Sequence, residues 1–384
     1  MIKNRLVKIL KRLSDNRFQT LNRIEISRDN LLSNFNYFKS LNPKIGVIPV
    51  LKSNAYGHGI KQVAEILNSA ECDLIAVDGY FEAVKIREIT KHRILVLGYI
   101  KSDNYSKVDT KKCSFVVQDT SSLAALALLG KKVNIHVELN TGMNRLGLRA
   151  DELDEYLIVL KKYPKLHLEG IMSHLADADN DNESFTKKQV KLFDSLVKTI
   201  FDAGFSPKYI HIAQTAGSVV AKSDFANSIR LGIGIYGISP LEKRNKNMRY
   251  FENLKPVMEL KSTIIKIIDL KVGDRVSYNG IFTADKAMRI GILPLGYYEG
   301  VPRELSNRGV VTVPGYELPI IGRVCMNHTM IDLVNSKLSV GDEVTIVSSD
   351  STQVNSIEKI CDKFGLFSYQ IISNITENIR RVTV

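Results

Sequence analysis

Apolar and polar positions along this chain change rhythm once, near residue 250. Between residues 40 and 240, short apolar runs rich in β-branched residues recur at 45–51, 74–78, 93–98, 114–118, 133–139, 168–174, 209–213 and 229–236, each readable as a strand. Segments of helical period lie between most of them. The clearest is 186–203, where Val190, Phe193, Leu196, Val197 and Ile200 repeat at three- and four-residue intervals. Eight strand-helix repeats predict an α/β fold, a (β/α)8 TIM-like barrel with its chemistry at the C-terminal strand ends. After residue 252 the texture differs. Runs at 263–270, 288–295, 309–313, 318–321, 329–334 and 343–347 read as strands separated by Gly, Pro, Asn and Asp. Helical period is scarce there apart from 354–364, so a mainly β C-terminal domain is expected. The anticipated division is a basic N-terminal extension over 1–20, the barrel over 21–250 and the β domain over 251–384. No internal repeat, low-complexity tract or flexible linker interrupts it.

Composition adds little to that picture. A chain of 384 residues, 44% hydrophobic and 24% charged, has the balance of a soluble globular protein and the length of two domains. With no apolar run long enough for a bilayer and no signal-peptide pattern, it is expected to stay in the cytoplasm. Cys72, Cys113, Cys325 and Cys361 are too scattered for a zinc ribbon or redox pair and read as reduced thiols. The seven histidines are equally dispersed, and no metal is expected.

The net charge of +12 would suit nucleic acid, but the lysines are spread out and no basic-aromatic motif accompanies them, so no such partner is expected. The one concentrated basic patch is the start of the chain, where Ile2, Leu6, Ile9, Leu10 and Leu13 fall at helical spacing opposite basic residues. Packing or fraying is its simplest account. Contact with an anionic membrane is the alternative, and one short amphipathic segment binds weakly.

The chemistry starts with Gly46-Val-Ile-Pro-Val-Leu-Lys52, which runs into Ser53-Asn-Ala-Tyr-Gly-His-Gly59. A lysine at the tip of a buried strand, before a glycine-punctuated loop, can hold an aldehyde cofactor as a Schiff base where its surroundings disfavour the ammonium. Alone, such a lysine is more simply a solvated charge closing a strand. Arg145, His174, His211, Thr215 and Arg230 also fall at or just beyond predicted strand ends, which concentrates chemistry on one face of the barrel. Gly232-Ile-Gly-Ile-Tyr-Gly237 satisfies G-x-G-x-x-G, but the chain runs on to Ser239-Pro240 with no helix-forming segment, so a dinucleotide site is rejected.

The Lys52 string resembles the cofactor-lysine signature of alanine racemases, pyridoxal 5'-phosphate enzymes that interconvert L- and D-alanine. Further matches run in family order from Asn22-Arg-Ile-Glu-Ile26 to Tyr369. That resemblance implies a barrel plus a β domain and a homodimer with shared active sites. It also implies two bases on opposite faces of the substrate: Lys52, and Tyr278 contributed by the partner subunit. Around the cofactor it implies Tyr56, Thr215, Gly232, Ile233 and Tyr369 at the phosphate, and Arg230 facing the ring nitrogen with His211 behind it. His174 would contact the tyrosine base. Arg145 and the backbone of Met326 would hold the substrate carboxylate, with Tyr297 at the entrance.

The sequence departs from the family at several points. Asn140 and Asn327 stand where aspartates are usual, Gln214 replaces an asparagine and Leu231 a proline. Glu138 occupies the place of a lysine that is often carbamylated, so it is expected to pair with Arg145 directly and without modification. These changes leave room for a broader-specificity or serine racemase. A low-turnover cofactor-binding protein is the duller alternative, and the second domain, which carries Tyr278, argues against it.

Overall fold

The computed structural model describes residues 19–384. The amphipathic segment expected near the start of the chain lies outside the described residues. Eight parallel strands form the barrel: β2 (Gly46–Pro49), β3 (Leu74–Val77), β4 (Arg93–Val96), β5 (Cys113–Val117), β6 (Val133–Glu138), β7 (Leu166–Met172), β8 (Tyr209–His211) and β9 (Ser228–Leu231). From β3 to β8 they pair in chain order. The ring closes through three joins. β2 pairs with β9, a parallel bridge links Val50 to Ala76, and Asn227 N and Arg230 N donate to Ile210 O and Ala213 O. Strands β3 and β5 are buried throughout, which is why they read as mostly apolar runs rather than alternating ones, with Ser114 the one polar residue in β5. The long helix predicted at 186–203 runs Ser184–Asp202 and turns Val190, Phe193, Leu196, Val197 and Ile200 inward.

The second domain is built on a nine-stranded sheet. Its strands are β1 (Asn22–Ile26), β10 (Met258–Thr263), β11 (Lys266–Leu270), β14 (Met288–Leu293), β15 (Val310–Val313), β16 (Tyr316–Ile321), β17 (Thr329–Asp332), β18 (Glu343–Val347) and β19 (Arg380–Thr383). The short strands β12 (Arg275–Val276) and β13 (Phe282–Thr283) form a hairpin beside it.

Three expectations need correction. The first strand of the chain, placed in the barrel, pairs instead with β10 and β19 in the second domain. Its fully buried Ile24 and Ile26 belong to that sheet, and Arg23 reaches an ion pair with Glu343. The single strand expected at 263–270 is two strands, because consecutive backbone amides change partner: Ile264 N donates to Asp342 O and Ile265 N to Ile292 O. Finally, the strand expected at 229–236 ends at Leu231. A 3-10 turn, Ile233–Tyr236, follows it and redirects the backbone at the site.

Candidate active site

Lys52 lies just past β2 and opens a backbone turn of unusual hand. Ser53, Asn54, Ala55 and Tyr56 all have φ between 51° and 55°, the left-handed region that L-residues rarely occupy in succession. Buried Glu82 holds this turn. Its Oε1 accepts from Ser53 N at 2.6 Å and Asn54 N at 3.4 Å, while Oε2 accepts from Asp78 N at 2.9 Å. At the far end, Gly57 has φ +81°, and a Cβ there would sit 1.9 Å from Ile372 O. Arg381, from β19, donates to Gly57 O through Nε at 3.1 Å and Nη2 at 2.9 Å. The last strand of the β domain therefore fixes the loop that presents the lysine.

Lys52 lines a cavity of about 350 Å³ together with Tyr56, Asp78, Glu138, Arg145, His174, Gln214, Thr215, Arg230, Gly232, Ile233 and Tyr369. Burial pushes its ammonium below the usual lysine range, and Arg145 and Arg230 push the same way, against Asp78 and Glu82. A lysine so placed gives up its proton more readily than one in water.

Arg230 is fully inside. Its Nη1 donates to His211 Nδ1 at 2.6 Å and to His211 O, and its Nη2 donates to Ser173 O, Ile212 O and His174 Nδ1 at 3.1 Å. Nε is left as the guanidinium nitrogen without a protein acceptor among the described residues. Because guanidinium only donates, His174 must accept at Nδ1, and in its neutral form it carries its proton on Nε2. Burial, then Arg230, Arg145 and Lys52, depress its pKa to about 2, so the neutral form prevails.

Beside the arginine, the backbone N–H groups of Gly232 and Gly234 converge on Thr215 Oγ1 at 3.1 and 3.3 Å. A Cβ on Gly232 would stand 2.7 Å from Tyr56 Oη, so the glycine is what allows hydroxyls and backbone to share one concave corner. Tyr369 approaches from a short helix, Ser368–Ser373, its ring 6.1 Å from that of Tyr56. Burial raises both phenols, Tyr56 to about 12, so both remain hydrogen-bond donors.

The direct Glu138–Arg145 pair expected from the sequence is not formed: among the described residues no ion pair joins them within 4 Å, although both line the cavity. Glu138 is buried at the end of β6, whereas Arg145 sits on the exposed turn beyond it. Burial raises the carboxyl's pKa, and Arg230, ahead of Arg145, opposes the rise. Asn140 keeps one function open to an aspartate, since its Oδ1 accepts from Gly142 N and Asn144 N at 3.1 Å and shapes the arginine's turn.

Of the sequence-predicted residues, nine line this cavity and His211 stands directly behind Arg230. Tyr278, Tyr297 and Met326 do not line it. They lie exposed on the β domain, 69%, 46% and 54% accessible. Tyr278 and Tyr297 share a separate depression with Arg303, Arg323 and Cys325. Tyr278 sits in a tight turn between Ser277 at φ 67° and Asn279 at φ 62°, held by Ser277 Oγ donating to Arg323 O at 2.7 Å.

Sequence reasoning missed Asp78 and Glu82. A usable signal existed, because Glu82 stands three residues after Gly79 at the start of Tyr80–Ile86, the N3 position from which a glutamate reaches back to free N–H groups. No local pattern announces that the same carboxylate also holds Ser53.

A family profile described as alanine racemase, N-terminal domain, matches residues 26–240, and one described as alanine racemase, C-terminal domain, matches 257–383. An alanine racemase of Methanococcus maripaludis is 32% identical, over 89% of this chain and 92% of that protein. One of Staphylococcus saprophyticus is 31% identical over 94% of each. Among solved structures, alanine racemase of Clostridium difficile 630 superposes with a TM-score of 0.87 at 28% identity, covering 96% of this chain and 97% of that one. An alanine racemase of Bacillus anthracis with bound L-Ala-P gives 0.86 at 27%, covering 96% of each.

Proposed function

Since this chain belongs to the alanine racemase family, we propose that it interconverts L- and D-alanine with pyridoxal 5'-phosphate, using Lys52 and Tyr278 of the partner subunit as opposed bases. One observation carries the cofactor assignment: a buried lysine, a guanidinium with one uncommitted nitrogen and a corner of hydroxyls and glycine amides share one cavity. These are the partners wanted by an aldehyde, a ring nitrogen and a phosphate. When bound, the cofactor withdraws electrons from the substrate's α-carbon and makes its proton labile. Arg230 keeps its own proton because guanidinium is a very weak acid, which leaves the ring a modest electron sink and favours simple proton exchange.

Lys52 Nζ serves one face of the α-carbon. The partner subunit's Tyr278 serves the other: a proton leaves to one base while the opposite base delivers its own. His174 supports the tyrosine's role, since its Nε2–H is available to a phenolate and its Nδ1 is tied to Arg230. Arg145 is the cation in the cavity suited to a substrate carboxylate. The exposure of Tyr278, Tyr297 and Met326 away from their own chain's cavity supports completion of each site by a second copy, in a two-fold dimer. Among the described residues, no helix is long and apolar enough to cross a membrane.

Mixing two inactive variants tests the arrangement. Lys52→Ala and Tyr278→Phe dimers each lack one base, but a heterodimer regains one intact site. Random exchange at equal amounts should restore about a quarter of wild-type activity. Failure to recover activity after demonstrated exchange would refute the shared site. A panel of L-alanine, L-serine and larger amino acids separates strict from broad specificity, and cofactor binding without turnover of any of them would identify a binding protein.

A further inference from the structure

A (β/α)8 barrel is ordinarily filled by branched apolar side chains. Here six successive strands each place one polar side chain in a connected line. Arg93 comes from β4, Ser114 from β5, His136 from β6, Glu169 from β7, His211 from β8 and Arg230 from β9. His136 and His211 are fully buried, Arg230 is 3% exposed and Glu169 5%. Room for the first histidine is provided deliberately: a Cβ on Gly170 would meet His136 Nδ1 at 2.3 Å, and the β6–β7 register shifts between Ile135 and His136.

Donor and acceptor chemistry gives this line one direction. Arg230 can only donate, so His211 Nδ1 accepts, and neutral His211 carries its proton on Nε2. That nitrogen is 3.0 Å from His136 Nδ1, which must therefore accept, leaving the proton of His136 on its Nε2. Glu169 Oε2 faces it at 3.5 Å, near enough to attract that proton although the geometry falls short of a hydrogen bond. Glu169 is acceptor-only: it pairs with Arg93 and takes the Ser114 hydroxyl at 2.5 Å, while Ser114 Oγ accepts from Arg93 Nη2 at 2.7 Å. Reversing either ring would set two N–H groups against each other.

We infer that His136 and Glu169 are positioning residues which, acting through the buried line, hold His211 as the Nε2–H tautomer and so keep its Nδ1 an acceptor that aims Arg230 into the cavity. The carboxylate also sets a negative charge at the far end of a line headed by a buried cation. This inference deepens the proposed racemase reading and rests on it for the part played by Arg230.

Long-range proton–nitrogen spectra of the full-length, cofactor-loaded protein with nitrogen-15 histidine test it. In wild type, His136 and His211 should both show protonated Nε2 and bare Nδ1. A proton on Nδ1 of His211 in wild type would overturn the inference without any variant. Glu169→Leu should shift the ring nitrogens of both histidines and lower kcat by about 10- to 100-fold, the usual range for groups orienting a functional side chain from behind, with KM for alanine little changed. Glu169→Gln, which keeps an acceptor oxygen, should recover most of both readouts. Because the groups act in series, adding Glu169→Leu to His136→Leu should cost little more; independent, multiplying losses would sink the idea. The spectra report the line whether or not alanine turns over, so failure of the racemase reading and failure of the relay are distinguishable.

Discussion

Replacing Glu82 by alanine removes the group that holds the turn carrying Lys52. Four successive non-glycine residues in the left-handed region store roughly 4–8 kcal/mol relative to right-handed backbone. Glu82 is 4% exposed and accepts from two close backbone donors, Ser53 N at 2.6 Å and Asp78 N at 2.9 Å. Losing two hydrogen bonds to a carboxylate costs roughly 3–6 kcal/mol. Part of that returns as the turn relaxes and its strain is relieved, so the expected net loss is about 2–4 kcal/mol. The relaxation should be local before it is global. Urea unfolding should show the lower midpoint, and amide exchange across residues 53–56 should accelerate well beyond that of β3. Activity should fall further than stability, because the lysine and Tyr56 share the turn. A variant with the wild-type midpoint and unchanged exchange at Ser53–Tyr56 would show that Glu82 does not hold it.

Gly57→Ala drives a methyl group into Ile372 O, 1.9 Å away, at φ +81°; thermal unfolding should report a loss of about 2 kcal/mol or more. His58 is fully buried and its pKa is lowered to about 4 by burial. Below about 6.5 the unfolded chain takes up a proton that the fold refuses, so stability falls as pH drops from there toward 4, by about 3 kcal/mol from this group. His58→Gln should flatten that part of the pH profile, measured by urea unfolding; an unaltered slope would exclude His58 as its source. Glu138 lines the cavity with a carboxyl that needs no modification, so activity should be indifferent to added bicarbonate, and a clear dependence would refute this.

Much of the fold was legible because burial on both faces leaves a direct mark. Leu74–Val77 appears in the sequence as an unbroken apolar run, and Cys113–Val117 is interrupted only by Ser114, whose buried hydroxyl is satisfied by Glu169 and Arg93. The barrel face of the site was legible for a related reason: strand ends bring Lys52, His174, Thr215 and Arg230 to one mouth whatever the intervening helices do. The departures came where a residue's partner is remote in the chain. Asn22–Ile26 looks like any amphipathic strand, and only pairing with residues 258–262 and 380–383 assigns it to the second sheet. Glu138 and Arg145 are close in sequence, yet the turn between them leaves one buried and the other exposed without a direct pair.

The barrel, the β domain and the inventory of reactive side chains were readable from the order of residues, because periodicity and residue chemistry are local properties. Tertiary packing alone set the donor–acceptor direction linking Arg230, His211 and His136, brought Glu82 from the helix after β3 to hold the lysine's left-handed turn, and left Tyr278 exposed outside its own chain's cavity. Hydrogen-bond direction, backbone strain and surface exposure depend on neighbours brought together from distant parts of the chain.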